Sequence, residues 1–434
     1  MLKQFAPVIL IISSLQIHAQ SWIIYNQSNS GLATDRVFTI AIDQTDVKYV
    51  PADFGIGIST FDNTSWNLDT NSFAREPFTN IIVDQNNHLW ANDLWNHGLC
   101  EFNGVTWQSY TTSTSTIPTN LIETIFCDHQ NNKLIGTVLK GLLKYNGVTW
   151  TQFDTTNSSI LTNFVNSVSE DSLHNIWLGN RPNWTGTAYV GGGLSKYDGI
   201  SFTGFNTSNS GIVSNNITNV TCDQTNSVWF SSNNILGKYD GTTWSADSSS
   251  SSGLPNSTIN CLAVDLNNIL WIGTDSGLTS FDGSTWTTYN TTNSSIPSDT
   301  ISTIKVDSYG NKWIVFGFMS PVGHYNGNGI AIFNENLIQG PLGISGIHEI
   351  ENKDDILFYP NPSSGNTTIR YSLKQGDHGK VNVYDVTGKL VENYLLESNK
   401  DQMQINTNYK NGIYFYQVIN NGAVVKSDKL IIIH

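Results

Sequence analysis

Short runs in which apolar and polar residues alternate are spaced evenly along most of this chain. Ile217-Thr-Asn-Val-Thr-Cys222 is representative: a period of two sends alternate side chains to opposite faces of a strand. The runs recur as one unit, clearest in Asp265-Leu-Asn-Asn-Ile-Leu-Trp271-Ile-Gly273, then Gly277-Leu278, Phe281-Asp282-Gly283 and Trp286. The leading aspartate returns as Asp43, Asp84, Asp128, Asp171, Asp223, Asp265 and Asp307, at separations of 41, 44, 43, 52, 42 and 42 residues. Six positions after each stands Tyr49, Trp90, Leu134, Trp177, Trp229, Trp271 or Trp313. A second aromatic series, Trp66, Trp107, Trp150, Phe202, Trp244 and Trp286, closes the units. Seven copies at this period predict an all-β fold, a seven-bladed β-propeller of four-stranded blades.

Each unit divides in the same way. An alternating run before the aspartate is the inner strand A, a turn rich in Asn, Gln and Ser leads to strand B around the aromatic residue, and strand C ends at Tyr or Phe. Asn103-Gly104, Asn146-Gly147, Asp198-Gly199, Asp240-Gly241 and Asp282-Gly283 then predict tight hairpins into strand D, with glycine supplying positive φ. The anchoring aspartates are expected to cap their own turns, and the tryptophans to plug the spaces between blades. Trp22-Ile23-Ile24-Tyr25 is a strand D with no blade before it, whereas the seventh unit stops at Ala331-Ile332-Phe333-Asn334. Pairing the two closes the last blade with the N-terminal strand and removes its open edge.

The pattern W-I-G-T-x-x-G-L-x-x-[FY]-D-G, over roughly residues 22–335, resembles the two-component regulator propeller repeat, found in periplasmic sensors of carbohydrate-responsive bacterial regulators. The resemblance implies a propeller able to bind a ligand; the membrane helix and kinase of those sensors have no counterpart here, so signalling is not implied. The end of the chain carries a second set of motifs: Tyr359-Pro360-Asn361-Pro362, then Asp385-Val-Thr-Gly388-Lys389, Gly412-Ile-Tyr414-Phe-Tyr416 and Lys429-Leu-Ile-Ile-Ile-His434. This segment resembles the type A C-terminal sorting domain of the type IX secretion system, which takes folded proteins across the outer membrane of certain Gram-negative bacteria. That resemblance implies a small Ig-like β-sandwich, the secretion machinery as a partner, and an extracellular or cell-surface destination. Its sorting residues would be Tyr359, Pro360, Asn361, Pro362, Gly388, Gly412, Tyr414 and Lys429. At the other end Lys3, the apolar stretch from Phe5 to Leu15 and Ile17-His18-Ala19 read as a signal peptide. The expected organisation is a signal peptide over 1–19, the propeller over 20–337, a linker over 338–352 and the sorting domain over 353–434. No stretch is long enough for a transmembrane helix.

Charge changes the picture by exclusion. Residues 353–434 hold nine basic and eight acidic side chains, leaving 12 basic against 27 acidic for the rest. An acidic propeller disfavours nucleic acid and anionic membranes as partners. Cys100, Cys127, Cys222 and Cys261 show no CxxC spacing and are expected to be unpaired thiols inside strands.

Catalytic motifs are missing: there is no G-x-S-x-G, no H-E-x-x-H and no Walker loop. No metal site and no cofactor are expected, and His88, His129 and His174 read as solvated residues of the A–B turns. Candidate chemistry gathers instead on the opposite rim, where three B–C loops are enlarged. Blade two brings Asp93, Trp95 and His97, blade four Arg181, Trp184 and Tyr189, and blade seven Phe318, His324 and Tyr325. Flat aromatics beside amides and carboxylates suit sugar faces and hydroxyls. The expectation is a secreted or surface-attached, non-enzymatic binding protein for a glycan or another extracellular ligand. The alternatives are a propeller lyase or glycosidase, for which only Asp93, His97 and His324 offer acid–base groups, and a protein–protein adhesion scaffold.

Overall fold

Each anchoring aspartate builds the turn of its own blade. In blade six, Asp265 Oδ1 accepts the amides of Asn267 and Ile269, both at 2.9 Å, while Oδ2 accepts the indole N–H of Trp271 at 2.9 Å. One carboxylate therefore fixes both the turn and the large side chain six residues on, which explains the spacing in the sequence. The indole contact recurs from Trp90, Trp177, Trp229 and Trp313, and Tyr49 donates its hydroxyl to Asp43 in blade one. Leu134 has no such donor, and in blade three Asn132 Nδ2 supplies it to Asp128 at 2.7 Å.

The computed structural model describes residues 21–52, 56–70, 78–93, 97–247, 253–319, 325–335, 357–359, 361, 363–371, 379–385, 389–398, 400, 402–406, 409–420 and 423–433. The expected signal peptide and linker lie outside them. Two units divide between Leu342 and Gly343. Among the described residues every regular element is a strand, and no helix is long and apolar enough to cross a membrane.

The first unit is a propeller of seven four-stranded antiparallel sheets. Blade six is typical, running Ile259–Val264, Leu270–Thr274, Gly277–Phe281 and Trp286–Tyr289. The first strands of successive blades pack side by side as the innermost layer. Blade seven consists of Ile301–Val306, Lys312–Met319 and Tyr325–Asn334, and its outer strand is Ser21–Tyr25, with Trp22 opposite Phe333 and Tyr25 opposite Ile330. Blade seven then meets blade one through a core of Tyr25, Val50, Phe61, Trp313, Val315 and Ile332. The expected closure by the N-terminal strand is what the structure shows.

One local expectation needs correction. The C–D connections are four-residue loops, because Phe281 pairs with Trp286, and Asp282 does not take positive φ. Its carboxylate instead accepts the amides of Ser284 at 2.9 Å and Thr285 at 2.7 Å, and Gly283 alone adopts φ +97°. In blade one Asn63 fills the glycine's place at φ +73°. Cys100, Cys127, Cys222 and Cys261, all described, form no disulfide.

Neighbouring blades are also joined by buried charge. Lys133 Nζ of blade three donates to Asp84 Oδ2 of blade two at 2.7 Å, with both side chains almost wholly buried. Burial by itself would raise the Asp84 carboxyl, but the Lys133 hydrogen bond and the amides of His88 and Asn86 hold it below the usual range. Lys133→Met would strand the carboxylate, and we expect it to cost about 3–5 kcal/mol in chemical denaturation. A loss under about 1 kcal/mol would mean the pair contributes nothing net. Because folding lowers this carboxyl's pKa, its stabilisation is complete above about pH 4 and is lost as the pH falls through the folded value. Acid titration of unfolding free energy should therefore show a steeper decline in the wild-type chain than in Asp84→Asn.

The second unit has two sheets. Leu357–Tyr359, Asn366–Arg370 and Gln402–Asn406 form one; Leu390–Leu396, Gly379–Tyr384, Gly412–Asn420 and Ala423–Ile432 form the other. Ile369 and Ile405 from the first sheet share a core with Val381, Val383, Tyr416, Val418 and Leu430 from the second. Seven strands in two sheets around one core form a small β-sandwich.

Candidate functional site

The enlarged loop of blade four folds as an accessory hairpin, Asn183–Trp184 against Tyr189–Val190. Thr185 and Ala188 close it, the Thr185 amide donating to the Ala188 carbonyl at 2.9 Å. Its root is wedged between neighbouring loops. A Cβ on Gly192, at φ +83°, would lie 2.2 Å from the Asn215 carbonyl oxygen, so only glycine lets the hairpin seat there. The cross-strand pair Trp184 and Tyr189 comes together with ring centroids 4.9 Å apart, yet remains 58% and 72% exposed. Two large aromatics packed on each other and still open to solvent form a platform.

The hairpin overhangs a pocket of about 690 Å³. Val138 and Leu139 of blade three line one side, and Phe164 lies on the connection into blade four. Arg181, Pro182, Asn183, Trp184, Tyr189 and Gly191 come from the insertion, and Ser214, Asn215 and Asn216 from the connection into blade five. Arg181 lies over the Phe164 ring at 4.9 Å, and its carbonyl accepts the Thr162 hydroxyl at 2.8 Å, which fixes where the guanidinium starts. Asn183 Oδ1 is buried and has no hydrogen-bond partner. A buried amide oxygen left in that state is costly, and a donor able to reach it would be favoured. Glu123 stands close enough to Arg181 to feel its charge; burial raises the Glu123 carboxyl, and the guanidinium opposes that rise.

Of the residues expected on this rim, the structure brings Arg181, Trp184 and Tyr189 together. His97 is exposed on the blade-two loop and is not among the lining residues. In blade seven the insertion lengthens strands B and C, with Phe318 opposite Asn326 and Met319 opposite Tyr325. Trp95 and His324 fall outside the described residues, as do the side chains of Asp93, Phe318 and Tyr325. Sequence reasoning missed Val138, Leu139, Phe164, Asn183 and the Ser214–Asn216 segment. Leu139 left one signal: where blade six turns through Thr274-Asp-Ser-Gly277, blade three has Thr137-Val-Leu-Lys-Gly141, one residue longer and apolar. Leu139 takes φ +67° and stays 55% exposed, a conformation that side chain adopts at a cost.

In the second unit Asn361 of the opening motif and the nearby Ser363 are tied to the end of the last strand. Asn361 Oδ1 accepts the Ile431 amide at 2.9 Å, the Ser363 amide donates to the Ile431 carbonyl at 2.8 Å, and the Ile433 amide returns to Ser363 at 2.8 Å. Tyr359 donates its hydroxyl to Gln402 Oε1 at 3.4 Å, and Tyr414 donates to the Lys410 carbonyl at 3.0 Å. Asp385 Oδ1 accepts the Lys389 amide at 3.1 Å. Gly412 pairs with Ile432 and Lys429 with Phe415. Pro360, Pro362 and Gly388 themselves lie outside the described residues.

These motifs and strands coincide with a known module. Residues 357–433 are a secretion system C-terminal sorting domain. The sorting domain marks the protein for type IX export, to the cell surface or the extracellular space. No curated protein matches the chain. Among solved structures, the extracellular domain of a putative hybrid two component system from B. thetaiotaomicron is 17% identical with a TM-score of 0.58, over 95% of this chain and 57% of that one. PorZ, a surface component of the type-IX secretion system of Porphyromonas gingivalis, is 18% identical with a TM-score of 0.53, over 93% of this chain and 60% of that one. This chain thus spans less than two thirds of either. Virginiamycin B lyase from Staphylococcus aureus is 10% identical with a TM-score of 0.55, over 73% of this chain and 99% of that one. At these identities the likeness is one of fold, and the propeller's function has to be argued from its own site.

Proposed function

We propose that the sorting domain delivers a non-enzymatic binding protein, and that the propeller takes a glycan in the pocket beneath the blade-four hairpin. The observation that carries this reading is the exposed Trp184–Tyr189 pair beside the unpartnered Asn183 Oδ1. An aromatic face stacks on the C–H side of a sugar ring while a buried acceptor takes one of its hydroxyls. Arg181 adds a cationic donor at the pocket wall for an oxygen-rich ligand. The extracellular destination puts such a site where polysaccharides are met.

A glycan array probed with the propeller followed by its sorting domain, then titration of the best hit, tests the reading. Trp184→Ala and Tyr189→Ala are each expected to weaken binding by about tenfold or more, equivalent to about 1.4 kcal/mol. Both side chains are largely exposed, so the melting temperature should stay unchanged. Undiminished affinity in both variants would move the site elsewhere. A lyase or glycosidase is the second reading, favoured by the raised Glu123 carboxyl, which suits a general acid. Cleavage of an array hit by the wild-type chain, lost in Glu123→Gln, would select it over simple binding.

A further inference from the structure

On the face opposite the pocket, the A–B turns are tied to one another by a repeating hydrogen bond. The amide just after one blade's anchoring aspartate donates to the side chain three positions after the next blade's aspartate. Gln85 donates to Asn131 Oδ1 at 3.0 Å, Ser172 to Asn226 at 2.9 Å, Gln224 to Asn268 at 2.8 Å, and Ser308 to Asp46 at 2.9 Å. The receiving residue sits each time in the left-handed region, at φ 63–64°. Short amide and carboxylate side chains tolerate that conformation best.

Between blades three and four this latch is replaced. The receiving position holds His174, at the same φ of 64°, and the donating position holds His129. The position before the aspartate holds Glu170, where the other blades have Ile42, Val83, Cys127, Cys222, Val264 and Val306. Three departures from the repeat thus fall on one interface, and their side chains converge. Glu170 Oε2 takes over the latch from the His129 amide at 2.8 Å. Its Oε1 meets both imidazoles at Nδ1, His174 at 3.1 Å and His129 as well. The two rings stack at 3.6 Å, and the three candidate ligand atoms lie within 4.8 Å of one another. The turn histidines expected to be merely solvated are therefore organised around a carboxylate that is only 11% exposed.

We propose that His129, Glu170 and His174 bind a divalent transition-metal ion of the zinc type. Two imidazole nitrogens and one carboxylate oxygen are the donors such ions prefer over calcium or magnesium. Ligand distances of about 2.0–2.2 Å need the three atoms only slightly re-aimed around a common centre. The carboxylate is held in place by the backbone of blade three, while the imidazoles, 37% and 56% exposed, are free to adjust and leave a route in from solvent. Three protein ligands leave the fourth position facing outward, for water or for a donor from another molecule. The site bridges two blades, so occupancy would also brace their interface.

The repeat supplies its own control substitutions. His174→Asn restores the residue that blades two, three, five and six carry at that position, and His129→Gln restores that of blades one, two and five. Both changes return to side chains this fold already accommodates. Chelator-stripped chain, without a histidine tag, is titrated with zinc chloride by calorimetry, and its thermal melting is followed in parallel. One equivalent should bind with a micromolar Kd and raise the melting temperature, and each variant should lose about tenfold or more in affinity while melting normally without zinc. Absence of a saturable one-to-one event in the wild-type chain overturns the proposal. So does unchanged zinc affinity in both variants, which would place the ion on other histidines. Should one variant fail to fold, the other decides.

Discussion

Deleting residues 353–434 is expected to leave a folded propeller that no longer reaches the cell surface. The two units have separate cores: the described apolar residues of the sorting domain, from Ile369 to Ile432, form one cluster, and those of the blades form others. The cut therefore removes no member of the described blade cores. The addressing information is lost completely, since the opening motif and the final strand that it hydrogen-bonds are both removed. Cell fractionation with protease accessibility of intact cells measures the result. The truncated protein should be protected in the periplasm at its normal melting temperature, and its display at wild-type level would show that some other segment addresses the chain.

Removing residues 20–27 should have the opposite outcome, with the address intact and the ring broken. Trp22 stacks on Phe333 with centroids 4.3 Å apart and meets Tyr289 edge-on. Tyr25 is 1% exposed and contacts Phe61, Trp66 and Trp313. Loss of one buried aromatic of this size costs about 3–5 kcal/mol, and the deletion removes buried Tyr25, half-buried Trp22 and a whole hydrogen-bonded strand. That is comparable to the entire stability of an ordinary domain, about 5–15 kcal/mol. It also bares the edge of Tyr325–Asn334, with Ile330, Ile332 and Phe333, as a template for another chain. Melting temperature and light scattering should show a large fall and aggregation. An unchanged melting temperature would mean that the ring closes without this strand.

The fold was legible because its determinants are local and repeated. The distance from Asp265 to Trp271 reflects a single carboxylate serving a turn and an indole, and such a constraint appears in the sequence as a fixed interval. Closure was legible for a related reason, since Trp22–Tyr25 is a strand D lacking a blade and the blade that ends at Asn334 lacks a strand D. The pocket was legible only in part. The blade-four insertion announced itself by length, which located Arg181, Trp184 and Tyr189. Phe164 and Asn215 lie in connections of ordinary length, and their role depends on which loops the ring places side by side. The His129–Glu170–His174 cluster joins residues one repeat apart, so reading each turn by itself makes them three unrelated surface groups. Only when the repeats are superposed do the departures fall into one place.

The strand that completes blade seven is made about 300 residues ahead of the strand it pairs with. A contact of such long range is slow to form and cannot be anticipated by shorter ones. Tyr25 can find Phe61 and Trp66 of blade one early, but its place beside Trp313 and the stacking of Trp22 on Phe333 wait for the last blade. A chain interrupted anywhere in the array keeps a loose first strand and an unmatched edge, the hallmarks by which proteases and chaperones recognise unfinished products. The circle thus doubles as a test of completeness, passed only when the last blade has been made.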